Sequence, residues 1–300
     1  MAALIKTLNR NKYLYAMISL PILYFAIFKY GALFGLLIGF ENYSFVKGVF
    51  GSKWVGLAHF RDFLGDPYFW KLVRNTILIN VYMILFAFPA PILLALLLNE
   101  ARAKLFKRFA QSISYLPHFL STVVVCGMVV NFLSHEGAVN RILGLFGTDP
   151  IPFLMIADWF RTIYVTSEIW QSVGWGSIIY LAALAGIDPQ QYEAATLDGA
   201  NRVQRIRHVT LPGIAPVITI MFLLNLGNIM SIGYEKILLL YTGPTYETAD
   251  VISTFVYRRG LLGNDFSYAT AVEFFQSVIA LLFVTTANQV SKKVSETSLW

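Results

Sequence analysis

The chain has 300 residues and a formal net charge of +6, with 57% hydrophobic residues, only 13% charged residues and a mean hydropathy of +0.61. A water-soluble domain carries about 25% charged residues, so this composition excludes a chain of ordinary soluble domains and requires most of the surface to face lipid or other apolar helices. The single cysteine, Cys126, lies in an apolar run and can form no internal disulfide.

A membrane-crossing helix needs about 20 apolar residues, and six runs qualify, near 13–40, 74–98, 113–133, 162–186, 213–240 and 268–290. Lys6, Arg10 and Lys12 precede the first run. It is too long for a signal peptide, and no small-x-small cleavage site follows it. Gly31, Gly35 and Gly39 recur every fourth residue there. Either they line a packing face or they reflect the general abundance of glycine in membrane helices. The connection 41–72 is rich in aromatics (Trp54, Phe60, Phe63, Tyr68, Phe69, Trp70), and 134–161 holds Trp159 and Phe160. Short interfacial helices that meet an outside partner, or an aromatic belt at headgroup level, both fit these segments.

Polar residues punctuate the later runs. Glu168, Gln171, Ser172 and Trp175 share one helical face of the fourth. Asn225, Asn228, Ser231 and Glu235 follow at similar spacing on the fifth, and Glu273 and Gln276 are one turn apart on the sixth. Polar groups at mid-depth face a cavity or a partner helix. Three such stripes are expected to line one aqueous path, with Trp175, Tyr180 and Tyr234 as aromatic surfaces for sugar rings; helix-to-helix hydrogen bonding is the plainer alternative for each residue. Lys29, Lys236, Arg258 and Arg259 are candidate contacts for an acidic substrate, or else pair with Glu235, Glu273 or lipid phosphate.

Between the fourth and fifth runs lies a polar insert, 188–212. Asp188, Pro189 and Gln191 form a capping-box pattern that predicts a helix from Pro189 to about Leu197. Gly199 supplies a left-handed stop, Asn201 caps a second short helix reaching about Arg207, and Pro212 and Pro216 mark the start of the fifth run. Ala194, Ala195 and Ala200 keep the surface slim. Glu193 and Asp198 are near enough to Arg202 and Arg205 for ion pairs that would hold the bend. An ordinary amphipathic surface loop is the alternative.

Charge gives the orientation. The termini, the 100–108 connection and the insert together hold twelve Lys and Arg against five Asp and Glu, whereas the rest holds eleven against twelve. By the positive-inside bias both termini and the insert face the cytoplasm. The basic charge is thus topological, and no nucleic-acid partner is expected. No phosphate-binding G-x-x-x-x-G-K-[ST] is present. His59, His118, His135 and His208 lack metal-ligand spacing, and no catalytic set stands out. No metal and no catalytic residue are expected.

The stretch "EAATLDGA" with "LP" eleven residues on resembles the EAA motif of permease subunits in bacterial ABC importers, with Glu193, Ala194, Ala195, Asp198, Gly199, Ala200, Leu211 and Pro212 matching. Ile206 departs from it, since sugar-family members often carry an aromatic there. "EIWQSVGWGSIIYLAALAGI", "YETADVISTFVYRRGL" and the C-terminal "ETSLW" are similar to the carbohydrate-uptake branch, and within it to importers of complex polysaccharides such as alginate. The resemblance covers nearly all of 13–300. It implies an all-α, six-span permease of the bacterial cytoplasmic (inner) membrane, a single domain over 1–300 with core spans at roughly 74–290 and a coupling-helix loop at 188–212. It implies a second homologous permease, two ATPase subunits that carry the ATP and Mg, an external (periplasmic) solute-binding protein, surrounding membrane lipid, and no cofactor on this chain. Glu193 to Ala200, with Arg202 and Arg205, would dock on the ATPase, and transport of oligosaccharide or acidic polysaccharide would proceed by alternating access without catalysis. Two rivals remain: an ion-coupled secondary transporter, which predicts an inverted repeat and leaves the insert unexplained, and a membrane-embedded glycan or lipid enzyme, which predicts clustered acids or histidines.

Overall fold

The computed structural model describes residues 10–230 and 232–294. Lys6, Ser231, Glu296 and the "ETSLW" stretch, all used in the sequence reading, lie outside the described residues. The described chain is helical apart from one antiparallel pair of two-residue strands, β1 (Glu41–Asn42) and β2 (Lys53–Trp54). Helices are labelled α1 (Lys12–Phe40), α2 (Ala58–Leu64), α3 (Phe69–Glu100), α4 (Lys104–Tyr115), α5 (Thr122–Leu133), α6 (Ala138–Gly144), α7 (Trp159–Ala185), α8 (Pro189–Leu197), α9 (Arg202–Leu226), α10 (Tyr234–Leu240) and α11 (Phe266–Val294).

Among the described residues, five stretches are long and apolar enough to cross a membrane: α1, α3, the α5–α6 segment, α9 and most of α11. Helix α7 is not among them, although its 27 residues span about 40 Å at 1.5 Å per residue. Its polar residues lower its hydropathy.

Two expected spans are interrupted. The third run, 113–133, breaks where α4 ends at Tyr115. A 3₁₀ turn, Leu116–Phe119, carries Pro117, and α5 restarts with Ser121 accepting a hydrogen bond from the Val124 N–H. The fifth run, 213–240, breaks at Leu226 and resumes at Tyr234. Gly227 and Gly233 flank the break, and glycine costs a helix interior about 1 kcal/mol relative to alanine.

Two other helices survive their prolines through wider turns. In α3 the π-turn Met83–Ala87 precedes Pro89, and in α9 the π-turn Ile206–Thr210 precedes Pro212. Proline removes one N–H and crowds the carbonyl four residues back, and a π-bulge absorbs both defects. Consequently α9 does not stop near Arg207 as the sequence predicts. It runs unbroken from Arg202 into the membrane span.

The chain forms two compact units, one of residues up to Asp66 with Val256–Phe275, the other of Pro67–Phe255 with the residues from Gln276 on. In the first, Phe40 stacks on Trp54 and meets Phe60 and Phe274. Of the three spaced glycines in α1, only Gly39 packs closely, since a Cβ there would lie 3.0 Å from the Ala271 backbone. Gly31 and Gly35 meet no other helix. The reason is geometric: residues 31–40 are a 3₁₀ helix, whose three-residue turn does not align positions four apart. The Arg259 guanidinium lies over the Tyr268 ring, 3.1 Å from Asp265 and 3.6 Å from Asp66.

In the second unit α7 runs against α3, α4, α5 and α9. Lipid supplies no hydrophobic drive between helices, so close packing of small residues must do it. Gly174 fits this role: a Cβ there would collide with the backbone carbonyl of Ser114 in α4, and one at Gly176 would press on Pro91 of α3. Near the start of α3 the fully buried Asn75 joins three segments. Its Nδ2 donates to the carbonyls of Glu247 (2.9 Å) and Asp250 (3.0 Å), and its Oδ1 accepts from Arg161 (3.0 Å). Glu247 accepts from Lys71 and Arg74, each at 2.9 Å, and these hydrogen bonds hold its carboxyl below the usual range.

Candidate functional site: a polar cavity and an exposed elbow

A half-open cavity of about 540 Å³ lies in the second unit. Helix α7 contributes Tyr164, Glu168, Gln171 and Ser172, which recur on one helical face. Asn225 comes from the end of α9, Asn228 and Ile232 from the break, and Glu235 and Lys236 from α10. Helix α3 adds Asn80, and the turn before α5 adds His118, Ser121 and Thr122.

Of the two carboxylates that line the cavity, Glu168 is the one matched to the ammonium of Lys236. Lys236 Nζ donates to Glu168 Oε2 at 2.7 Å and to Gln171 Oε1 at 3.2 Å, and Ser172 Oγ donates to Glu168 Oε1 at 3.0 Å. Only 6% of the Lys236 side chain is exposed, against 28% for Glu168. The partner of Lys236 is therefore Glu168, neither Glu235 nor Glu273 as the sequence reading had it. Gln171 also donates to the Leu120 carbonyl at 3.4 Å.

The candidate path residues divide. Glu168, Gln171, Asn225, Asn228 and Glu235 line the cavity together. Asn225, Asn228 and Glu235 do so from a broken helix, so the regular helical spacing expected along the fifth run is absent. Tyr180 is buried and lines a smaller adjoining cavity of about 230 Å³ with Glu168, Ser172 and Asn225. Trp175 stacks on His118 at 4.7 Å between centroids, one side chain back from the cavity. Tyr234 opens α10 without lining the cavity, and Gln276 donates to the Met230 carbonyl at 2.7 Å, a helix-to-loop bond. Glu273 belongs to the other unit. Asn80, Ser121 and Thr122 carry no signal in the sequence, because isolated polar residues within apolar runs form no periodic stripe. His118 enters the sequence analysis only as a histidine without metal-ligand spacing.

The insert forms an elbow. Asp188 Oδ1 accepts from the Gln190 N–H at 2.9 Å, so it caps α8, but Gln191 does not close the expected box. Gly199 has φ +78°. The Ala200 N–H bonds back to the Ala195 carbonyl and the Gly199 N–H to that of Thr196, the glycine-terminated pattern that satisfies the last carbonyls of a helix. A complete capping box then starts α9: Gln204 N–H donates to Asn201 Oδ1 at 3.0 Å, and Asn201 N–H to Gln204 Oε1 at 2.8 Å.

No ion pair joins Glu193 or Asp198 to Arg202 or Arg205 among the described residues. Arg202 instead reaches Glu100 at the end of α3, Arg205 donates to Thr196 at 3.2 Å, and Tyr192 and Thr210 hydroxyls meet at 3.1 Å. Helix α8 is thus strapped to its surroundings on one side. Its other side, with Glu193, Ala194, Asp198 and Gly199, is exposed, and Leu197 at the tip is 90% exposed.

The family described as "Binding-protein-dependent transport system inner membrane component" matches residues 87–293. The polygalacturonan/rhamnogalacturonan transport system permease protein YteP of Bacillus subtilis (strain 168) is 42% identical over 294 residues, covering 98% of this chain and 92% of its own. Protein LplB of the same strain is 42% identical over the same shares. Among solved structures, a chain of a bacterial ABC transporter involved in the import of the acidic polysaccharide alginate superposes with a TM-score of 0.91 at 43% identity, covering 98% of this chain and 99% of that one. The same transporter type in complex with an alginate pentasaccharide-bound periplasmic protein gives the same values. With a family match over most of its length and relatives of this identity, the chain belongs to the inner-membrane permease components of binding-protein-dependent ABC transport systems.

Proposed function

We propose that this chain is one of two permease subunits of an ATP-driven importer of acidic polysaccharide fragments, handed over by an external binding protein. All six long helical segments, α7 included, cross the membrane as a single permease domain, with both termini and the elbow in the cytoplasm. ATP and Mg reside on two ATPase subunits. Glu168, Gln171, Asn225, Asn228 and Glu235 border the path and offer acceptors and amides to sugar hydroxyls, with Trp175 behind His118 at its rim.

The observation that carries this reading is the elbow: a glycine-terminated helix with an exposed leucine at its tip, bonded to α9 through Thr196–Arg205 and Tyr192–Thr210, while α9 is tied to α3 through Arg202 and Glu100. An exposed leucine beside slim alanines is suited to a groove in another protein. Nucleotide-driven closure of the ATPases moves α8, and α9 carries that movement to Asn225 at the cavity. ATP biases the two states of the path only through contacts that differ between them, and α8 is where they differ. The substrate class rests on two of the relatives, one named for polygalacturonan/rhamnogalacturonan and one involved in the import of the acidic polysaccharide alginate, since Lys236 is already neutralised by Glu168.

Binding protein loaded with uronate oligomers is expected to stimulate the ATPase of the reconstituted complex severalfold over the unloaded protein. Stimulation by neutral disaccharides but not by uronate oligomers contradicts the substrate class. Uptake that persists when the partner ATPase is disabled favours an ion-coupled transporter instead.

A further inference from the structure

Helix α4 is the most strongly amphipathic segment of the chain, and no function described above uses it. At about 100° per residue, Leu105, Phe106, Phe109 and Ile113 fall on one side, and all four are exposed. Lys104, Lys107 and Arg108 fall on the other, with Arg102 just before. No acidic residue occurs between Ala101 and Leu120. None of the four cations has a hydrogen-bond or ion-pair partner among the described residues, and the nearest acid in sequence, Glu100, is taken by Arg202.

The two kinds of residue are also graded along the axis. The cations occupy only the first two turns, at the end beside Glu100, where the charge bias puts the cytosolic surface. The apolar stripe continues to Ile113, and the far end is fixed in the unit by the contact of Ser114 with Gly174. Charge at the surface end and apolar side chains inward match a helix that crosses the headgroup boundary, with phosphates beside its cations and acyl chains along its stripe. A protein groove has no need of that gradient.

We propose that Arg102, Lys104, Lys107 and Arg108 form a binding site for anionic phospholipid of the cytosolic leaflet, and that α4 transmits its occupancy to α7, the helix that carries Glu168 and Gln171. The site rests on the sidedness given under the proposed function. Anionic lipid holds α4 down at the interface and so supports the α4–α7 contact through the transport cycle.

The test uses the assembled importer in vesicles of phosphatidylcholine alone or with one part in three phosphatidylglycerol, reading ATPase activity stimulated by loaded binding protein. The wild-type rate is expected to rise severalfold with phosphatidylglycerol. Replacing all four cations by glutamine removes that rise and leaves the phosphatidylcholine rate unchanged. A charge-conserving swap of Arg and Lys at the same four positions retains it. Should the glutamine variant fail to insert, salt decides on the wild type: at 1 M, where the Debye length is about 3 Å, the rise is expected to vanish. A rise that survives in the glutamine variant or in high salt overturns the site. Loss of partner subunits from the glutamine variant overturns it in favour of a protein interface. Labelling of an Ala103→Cys variant by an impermeant maleimide from outside intact cells overturns the sidedness, independently of the lipid response.

Discussion

Replacing Gly199 with aspartate or valine is expected to leave the chain inserted and assembled while ATP-driven uptake falls about tenfold or more. The backbone there is left-handed, at φ +78°, which costs a non-glycine residue roughly 1–2 kcal/mol. Apart from its immediate chain neighbours, no described residue lies within 4 Å of where a Cβ would stand. The damage is therefore confined to the elbow. A strain of about 1.4 kcal/mol already shifts an equilibrium tenfold, yet it is too small to unfold a membrane-embedded chain. Valine acts through strain and bulk. Aspartate tolerates the left-handed region better but sets a second carboxylate beside Asp198 on the docking side. Asparagine, tolerant and uncharged, should lose least. Uptake into vesicles, normalised to the amount of complex, gives the order; wild-type uptake by the valine variant contradicts the docking role.

The second large effect is expected at the ion pair between α7 and α10. Removing one partner of a buried pair leaves the other charge uncompensated, at a cost of about 3–5 kcal/mol. Glu168 is 28% exposed to the cavity and Lys236 only 6%. Water can therefore relieve the carboxylate but not the ammonium. Glu168→Leu should lower the unfolding temperature of the purified complex more than Lys236→Met does. The double variant, with neither charge, should recover most of the loss, since partners in contact couple strongly. Equal losses from the single variants, with a double variant showing their sum, would show that the pair contributes nothing as a pair.

Much of this was legible in the sequence, for identifiable reasons. The elbow announces itself because Asp188, Gly199 and Asn201 each act locally: a cap, a left-handed stop and a second cap need no tertiary information. The face of α7 is equally plain, because Glu168, Gln171 and Ser172 keep helical spacing. What stayed hidden depends on residues distant in sequence or on the exact turn. The continuation of α9 past Arg207 relies on a π-turn that no composition signals. The break after Leu226 is hidden because Asn225, Asn228, Ser231 and Glu235 keep a spacing that a continuous helix would also give. The pairing of Lys236 with Glu168, rather than with its neighbour Glu235, requires two helices to meet. Gly174 looks like any membrane glycine until the Ser114 carbonyl is found against it.

The claim on which the account rests is that the tip of α8 enters a groove of an ATPase subunit. A single cysteine at Leu197, in a chain whose only native cysteine, Cys126, is buried, tests this by cross-linking in the assembled importer with and without ATP. The account predicts a cross-link from position 197 to the ATPase whose yield changes with nucleotide. A cysteine at 197 that reacts freely with soluble maleimide in every nucleotide state, and cross-links to no other subunit, would contradict it.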